Sequence, residues 1–147
     1  METKLPIATL LLRLGLGATL LSAVADRFGV LWTDEVASWG NWNSFLEYAA
    51  KVNSFAPEWM IPFLAVSATV FEFAFGILLI IGYKTNFAAL GTALLTFVFA
   101  LSMAYSFGIK SPLDYSVFID CTAAFLLSCI PIYRWSLDEF LSKPSIQ

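Results

Sequence analysis

The fold class predicted for this chain is all-α: a polytopic membrane four-helix bundle with an amphipathic interfacial helix in a long outer loop between spans one and two. Three observations predict it. The chain is 59% hydrophobic and only 13% charged, about half the charged fraction of an ordinary soluble domain. Four apolar runs, near 5–27, 60–82, 87–107 and 115–133, each approach or exceed the roughly 20 residues that cross a bilayer. Short polar connections join the last three runs, which makes them antiparallel neighbours. A length of 147 residues holds one transmembrane domain, 1–147, with an outer loop at 28–59 and a short tail at 134–147.

Composition also excludes functions. A net charge of −3 without basic clusters argues against nucleic acid as a partner. The chain has no histidine, which removes a histidine-held haem and argues against zinc, so no metal site is expected. Cys121 and Cys129 are eight positions apart, a rise of about 12 Å on one helix. That is too far for a mutual disulfide, and they read as small buried apolar residues.

The first run is preceded by Lys4 and followed by Asp26-Arg27. A cleaved signal peptide competes for it, since Ala23-Val24-Ala25 looks like a processing site. Arg13 interrupts the apolar stretch, however, so a retained span is the better reading. The long loop carries Trp32, Trp39, Trp42 and Trp59. Within it, Ser44-Phe45-Leu46-Glu47 reads as a capping box. Phe45, Tyr48, Ala49, Val52 and Phe55 follow at helical spacing until Pro57. Tryptophan and tyrosine favour the headgroup zone, which places this amphipathic helix on the membrane or across the end of the bundle.

The second span leads through Tyr83-Lys84-Thr85-Asn86 into a third rich in Ala88, Ala89, Gly91 and Ala93, small residues that let helices approach. A turn containing Pro112 precedes the fourth span. Ser136-Leu137-Asp138-Glu139 reads as another capping box, opening a tail helix that ends before Pro144. Lys4, Lys84, Arg134 and Lys143 fall on one side; Arg27, Lys51 and Lys110 fall on the other, in company with five acids between Asp26 and Glu58. By the positive-inside bias both termini are cytoplasmic.

Arg13, Glu72 and Asp120 lie inside apolar runs. Counted from the proposed cytoplasmic ends, they fall at roughly 12, 15 and 20 Å, within one slab about 8 Å thick. Residues four positions away are small or polar: Thr9 and Gly17 around Arg13, Ala68 and Gly76 around Glu72, Ser116 and Ala124 around Asp120. Such stripes turn inward in membrane bundles. Three unpaired charges cost on the order of 8–10 kcal/mol on insertion scales. An Arg13–Glu72 pair is therefore expected, with Asp120 sharing the arginine or carrying a proton.

The first-span stretch Leu11-Leu12-Arg13-Leu14-Gly15-Leu16-Gly17 resembles the opening of DoxX family membrane proteins. So do Glu72 with Gly76-Ile77-Leu78-Leu79-Ile80-Ile81-Gly82, and Thr85-Asn86-Phe87-Ala88-Ala89-Leu90-Gly91. The resemblance implies a small four-span protein of a bacterial or archaeal cytoplasmic membrane. It further implies association with redox systems such as a thiosulfate:quinone oxidoreductase and oxidative-stress complexes, with Arg13 and Glu72 as the family's charged pair. The paired-cysteine motif of relatives such as MauE is absent.

The leading expectation is an accessory membrane subunit of a redox or electron-transfer system, with other membrane or periplasmic redox subunits, or further copies of itself, as partners. A quinone, the one cofactor considered, would meet Arg13, Glu72 and Asp120 with its oxygens and Phe71, Phe75 or Phe99 with its ring. The chain shows no redox centre of its own, which leaves enzymatic activity open. The alternatives are a structural or assembly protein whose charges only fix helix packing, and a small proton-coupled carrier.

Overall fold

Alternation of apolar runs with polar turns folds the chain, in a computed structural model that describes residues 4–33, 35–131 and 133–142, into helices and connecting turns with no strand among the described residues. Lys143 and Pro144, counted above in the charge bias and the tail, lie outside the described residues. Three helices are long and apolar enough to cross a membrane: α1 (Lys4–Arg27), α3 (Ile61–Ile81, preceded by a 3-10 turn at Glu58–Met60) and α4 (Thr85–Phe107). Between α1 and α3 lies α2 (Trp42–Val52); after α4 come α5 (Lys110–Asp114), α6 (Val117–Ser128) and α7 (Leu137–Ser142).

The bundle is built from two closely packed antiparallel pairs, α1 with α3 and α4 with α6, joined by α3 against α4. In the first pair the backbones approach at Gly17 and Gly76. A Cβ added to Gly17 would lie 3.0 Å from the Gly76 carbonyl oxygen, so a larger residue would push the helices apart. In the second pair Ala88, Ala89, Ala93 and Ala100 of α4 are buried, and the Cys121 thiol meets the Ala93 carbonyl at 3.3 Å. Leu16, Leu20, Leu79, Ala124 and Leu127 complete the central core. Cys129, by contrast, is exposed rather than buried.

The fourth helix is shorter than the run at 115–133 predicts. Its 12 residues rise about 18 Å, against a hydrocarbon thickness near 30 Å. Ser116 takes a left-handed conformation (φ 57°) that separates α6 from α5. At the far end Pro131 has no backbone donor to continue the ladder and restricts the residue before it. The Tyr133 hydroxyl then donates back to the Leu127 carbonyl at 2.8 Å.

Helix α2 caps one end of the bundle, with Phe45 and Ala49 buried against Ile61 and Ala65 of α3. It starts three residues earlier than expected: Asn41, not Ser44, is the N-cap, and its side-chain oxygen accepts the Ser44 N–H at 3.0 Å. It ends at Val52, leaving Phe55 beyond the helix and exposed. Half of the tail box forms as read: Ser136 Oγ accepts the Glu139 N–H at 3.1 Å, while the Glu139 carboxylate accepts from Trp135 N, one residue before the cap.

Candidate functional site

Glu72 has a cation beside it, and that cation is Arg27 rather than Arg13. Arg27 closes α1, forms an ion pair with the Glu72 carboxylate, and donates from Nη1 to the Thr69 hydroxyl at 2.7 Å. Both charged side chains are about 95% buried. The guanidinium also lies 4.0 Å from the centroid of the Phe45 ring and 5.4 Å from that of Trp39, so α2 and the turn before it cover it with aromatic rings. Asp26, one residue earlier, holds that cover in place. Its buried carboxylate accepts backbone N–H groups from Ser38 at 2.9 Å and Trp39 at 3.2 Å.

Arg13 lies too far along the bundle to reach Glu72. The Gly17–Gly76 contact sets the register of α1 on α3, and Arg13 then falls beside Gly82. Gly82 is ten residues from Glu72, about 15 Å along the helix. There the buried Arg13 donates from Nη2 to the Trp135 carbonyl at 2.7 Å. Gly82 is left-handed (φ 68°), and a Cβ on it would come within 2.6 Å of Arg13 Nη1. The Gly82 carbonyl accepts from Asp138 N at 2.9 Å. Asp138 in turn caps α4 by accepting from Lys84 N and Thr85 N at 2.7 and 2.8 Å. The cluster ties tail to bundle and is a structural lock.

A cavity of about 390 Å³ lies between α1, α2, α3, α4 and α6. Arg27 and Glu72 form part of its wall together with Tyr48, Thr96 and Asp120, and Phe71 and Phe99 add aromatic faces. Arg27 Nε has no hydrogen-bond partner among the described residues. The phenol of Tyr48, on α2 outside the spans, has its pKa raised by burial and, less strongly, by Tyr115; at neutral pH it is an O–H donor.

Of the residues expected to meet a ligand, Glu72, Asp120, Phe71 and Phe99 line this cavity, whereas Arg13 and Phe75 do not. Phe75 is a packing residue, stacked on Phe71 at 5.8 Å between centroids and edge-on to Phe87 at 6.1 Å. Arg27, Tyr48 and Trp39 are the wall residues that sequence reasoning missed. Asp26-Arg27 directly before a Trp-rich loop was the available signal, since aromatic rings can cover a charge at a helix end. Asp120 sits in the first turn of α6 rather than at mid-depth. It is half-buried, and its carboxylate has neither an ion pair nor a hydrogen bond among the described residues. No group of three Cys, Asp or Glu side chains converges as a metal cage among the described residues.

A family model described as DoxX matches residues 8–105, two thirds of the chain, spanning α1 to α4 and therefore Arg13, Arg27 and Glu72. Comparisons with curated proteins and with solved structures return no match.

Proposed function

This chain belongs to the DoxX family, a family of membrane proteins, and on that premise we propose that it is an accessory subunit of a quinone-linked electron-transfer system. Its cavity receives the quinone head group. The observation that carries this reading is the buried Arg27–Glu72 pair on the wall of an aromatic-lined cavity. The volume falls within the usual range for small-molecule sites, roughly 300–1,000 Å³. Arg27 and Tyr48 supply donors for a quinone oxygen, and Phe71 and Phe99 supply faces for its ring. In this reading the electrons come from a partner protein. The family likeness favours a prokaryotic cytoplasmic membrane, and the charge bias favours both termini on its cytoplasmic side.

The test is a titration of purified protein in lipid nanodiscs with a short-chain quinone, read by tryptophan quenching. Losing one hydrogen bond to a charged group is worth about 1.5–3 kcal/mol, or roughly 10- to 150-fold in Kd. A folded Arg27→Met/Glu72→Leu variant is expected to bind at least tenfold more weakly. Equal binding by that variant removes the site from the cavity and leaves the pair as a packing device.

A further inference from the structure

We propose that Asp120 is the group through which the cavity exchanges protons with water on the α2 side of the membrane, at a polar mouth between α2, α4 and α6. The inference rests on the cavity reading above and adds what that reading lacks, a route for protons and the residue that uses it.

Of the two acids on the cavity wall, Glu72 and Asp120, Asp120 is the one without an ion pair among the described residues. Arg27 is matched by Glu72, and at the α2 end Lys110 is matched by Asp114. Of the other titratable groups on this side, Asp26, Glu35, Glu47, Lys51, Glu58, Tyr105 and Tyr115 are not part of the cavity wall, which Tyr48 of α2 shares with Arg27, Glu72 and Asp120. The polar side chains that α4 brings to the cavity wall are the hydroxyls of Thr96 and Ser102. Asp120 lies four residues past Ser116, about 6 Å into the bundle from the start of α6, and it is half-buried where Glu72 is fully buried.

Polar groups continue from there to the surface. Ser102 and Asn53 share the cavity wall with Asp120. One turn beyond Ser102, the Ser106 hydroxyl donates to the Val52 carbonyl at 2.6 Å and lies 2.9 Å from the hydroxyl of exposed Ser54. The rest of the wall is mainly aliphatic and aromatic, with Thr19 and Ser67 on α1 and α3, so the polar groups nearest Asp120 that run to the surface are those between the end of α2 and α4.

In the step assigned to it, the O–H bond of the Asp120 carboxyl breaks as an O–H bond forms on a ligand oxygen. The carboxylate then takes a proton from water in the mouth. A ligand that gives up a proton runs the same exchange backwards. Only a proton moves in this step; electrons pass between the ligand and the partner protein.

Two experiments test the proposal. With Cys121 and Cys129 replaced by serine, Asp120→Cys and Ser102→Cys are made in oriented proteoliposomes and treated with a charged, membrane-impermeant methanethiosulfonate. Modification from the α2 side alone, slowed by decylubiquinone, is the expected result. Failure of folded variants to react from that side, or equal reaction from the opposite side, overturns the mouth. Independently, calorimetry in buffers of differing ionisation enthalpy counts the protons exchanged when decylubiquinone binds. The wild type is expected to show a net proton change that Asp120→Asn abolishes and Asp120→Glu restores; an unchanged count in Asp120→Asn overturns the role of Asp120. A wild type that binds no quinone while Asp120→Cys still reacts from the α2 side refutes the quinone and keeps the mouth.

Discussion

Replacing Arg27 by methionine removes the cation beside Glu72 and leaves an acid enclosed by Thr69, Phe45 and the cavity wall. Breaking a buried pair by deleting one partner costs about 3–5 kcal/mol. A ceiling can be set independently. Protonating a carboxyl with an ordinary value near 4.3 costs about 3.7 kcal/mol at pH 7, and that ceiling drops by about 1.4 kcal/mol for each unit of pH removed. The variant is therefore expected to lose roughly 3–4 kcal/mol at pH 7 and distinctly less at pH 5. Adding Glu72→Leu removes the orphaned acid, and a buried pair replaced by apolar residues is commonly neutral or stabilising; most of the lost stability should return. Thermal unfolding in detergent, followed by circular dichroism, reads both variants. If Arg27→Met and the double variant unfold alike, or Arg27→Met matches the wild type, Glu72 is not held by Arg27 and the reasoning fails.

Arg13→Met should lower stability by about 1.5–3 kcal/mol, the worth of a hydrogen bond to a charged group, and speed proteolysis of the tail. It should leave quinone affinity unchanged, because Arg13 acts about 15 Å from Glu72; a binding defect equal to that of the Arg27 variant would contradict this division of roles. Asp26→Ala strips the acceptor from Ser38 and Trp39, and hydrogen exchange at 38–40 should accelerate at least tenfold while α3 is unaffected. Folding holds the Tyr48 phenol protonated, so stability is expected to fall once the pH passes about 10, the ordinary phenol value, and Tyr48→Phe should flatten that alkaline limb. An unaltered limb would place the loss elsewhere.

Periodicity made the inward faces legible. Thr9, Arg13 and Gly17 share a buried stripe; Glu72 and Gly76 are buried with Ala68 half-buried above them; around Asp120, Ala124 is fully buried but Ser116 is exposed. Helical spacing also located α2 and the small-residue approach of α4. Depth was a different matter, because counting from the ends of apolar runs assumes straight, full-length spans in level register. The Gly17–Gly76 approach slides Arg13 past Glu72, and the short α6 moves Asp120 towards its own start. Pro131 was a readable stop signal for α6; the register was not, since it depends on which glycines meet. Arg27 looked like an interfacial flank because a charge after an apolar run normally meets water. Its burial depends on α2 folding back over it, a tertiary event held by Asp26 and two aromatic rings.

The most direct measurement is native mass spectrometry of the protein released from its own membrane, compared with Ala68→Trp, which fills the cavity from its α3 wall and leaves every charge in place. A bound isoprenoid quinone on the wild type that disappears from the folded Ala68→Trp protein is the predicted result. A wild type that carries no small molecule, or a variant that retains the same one, would contradict a ligand site between these helices.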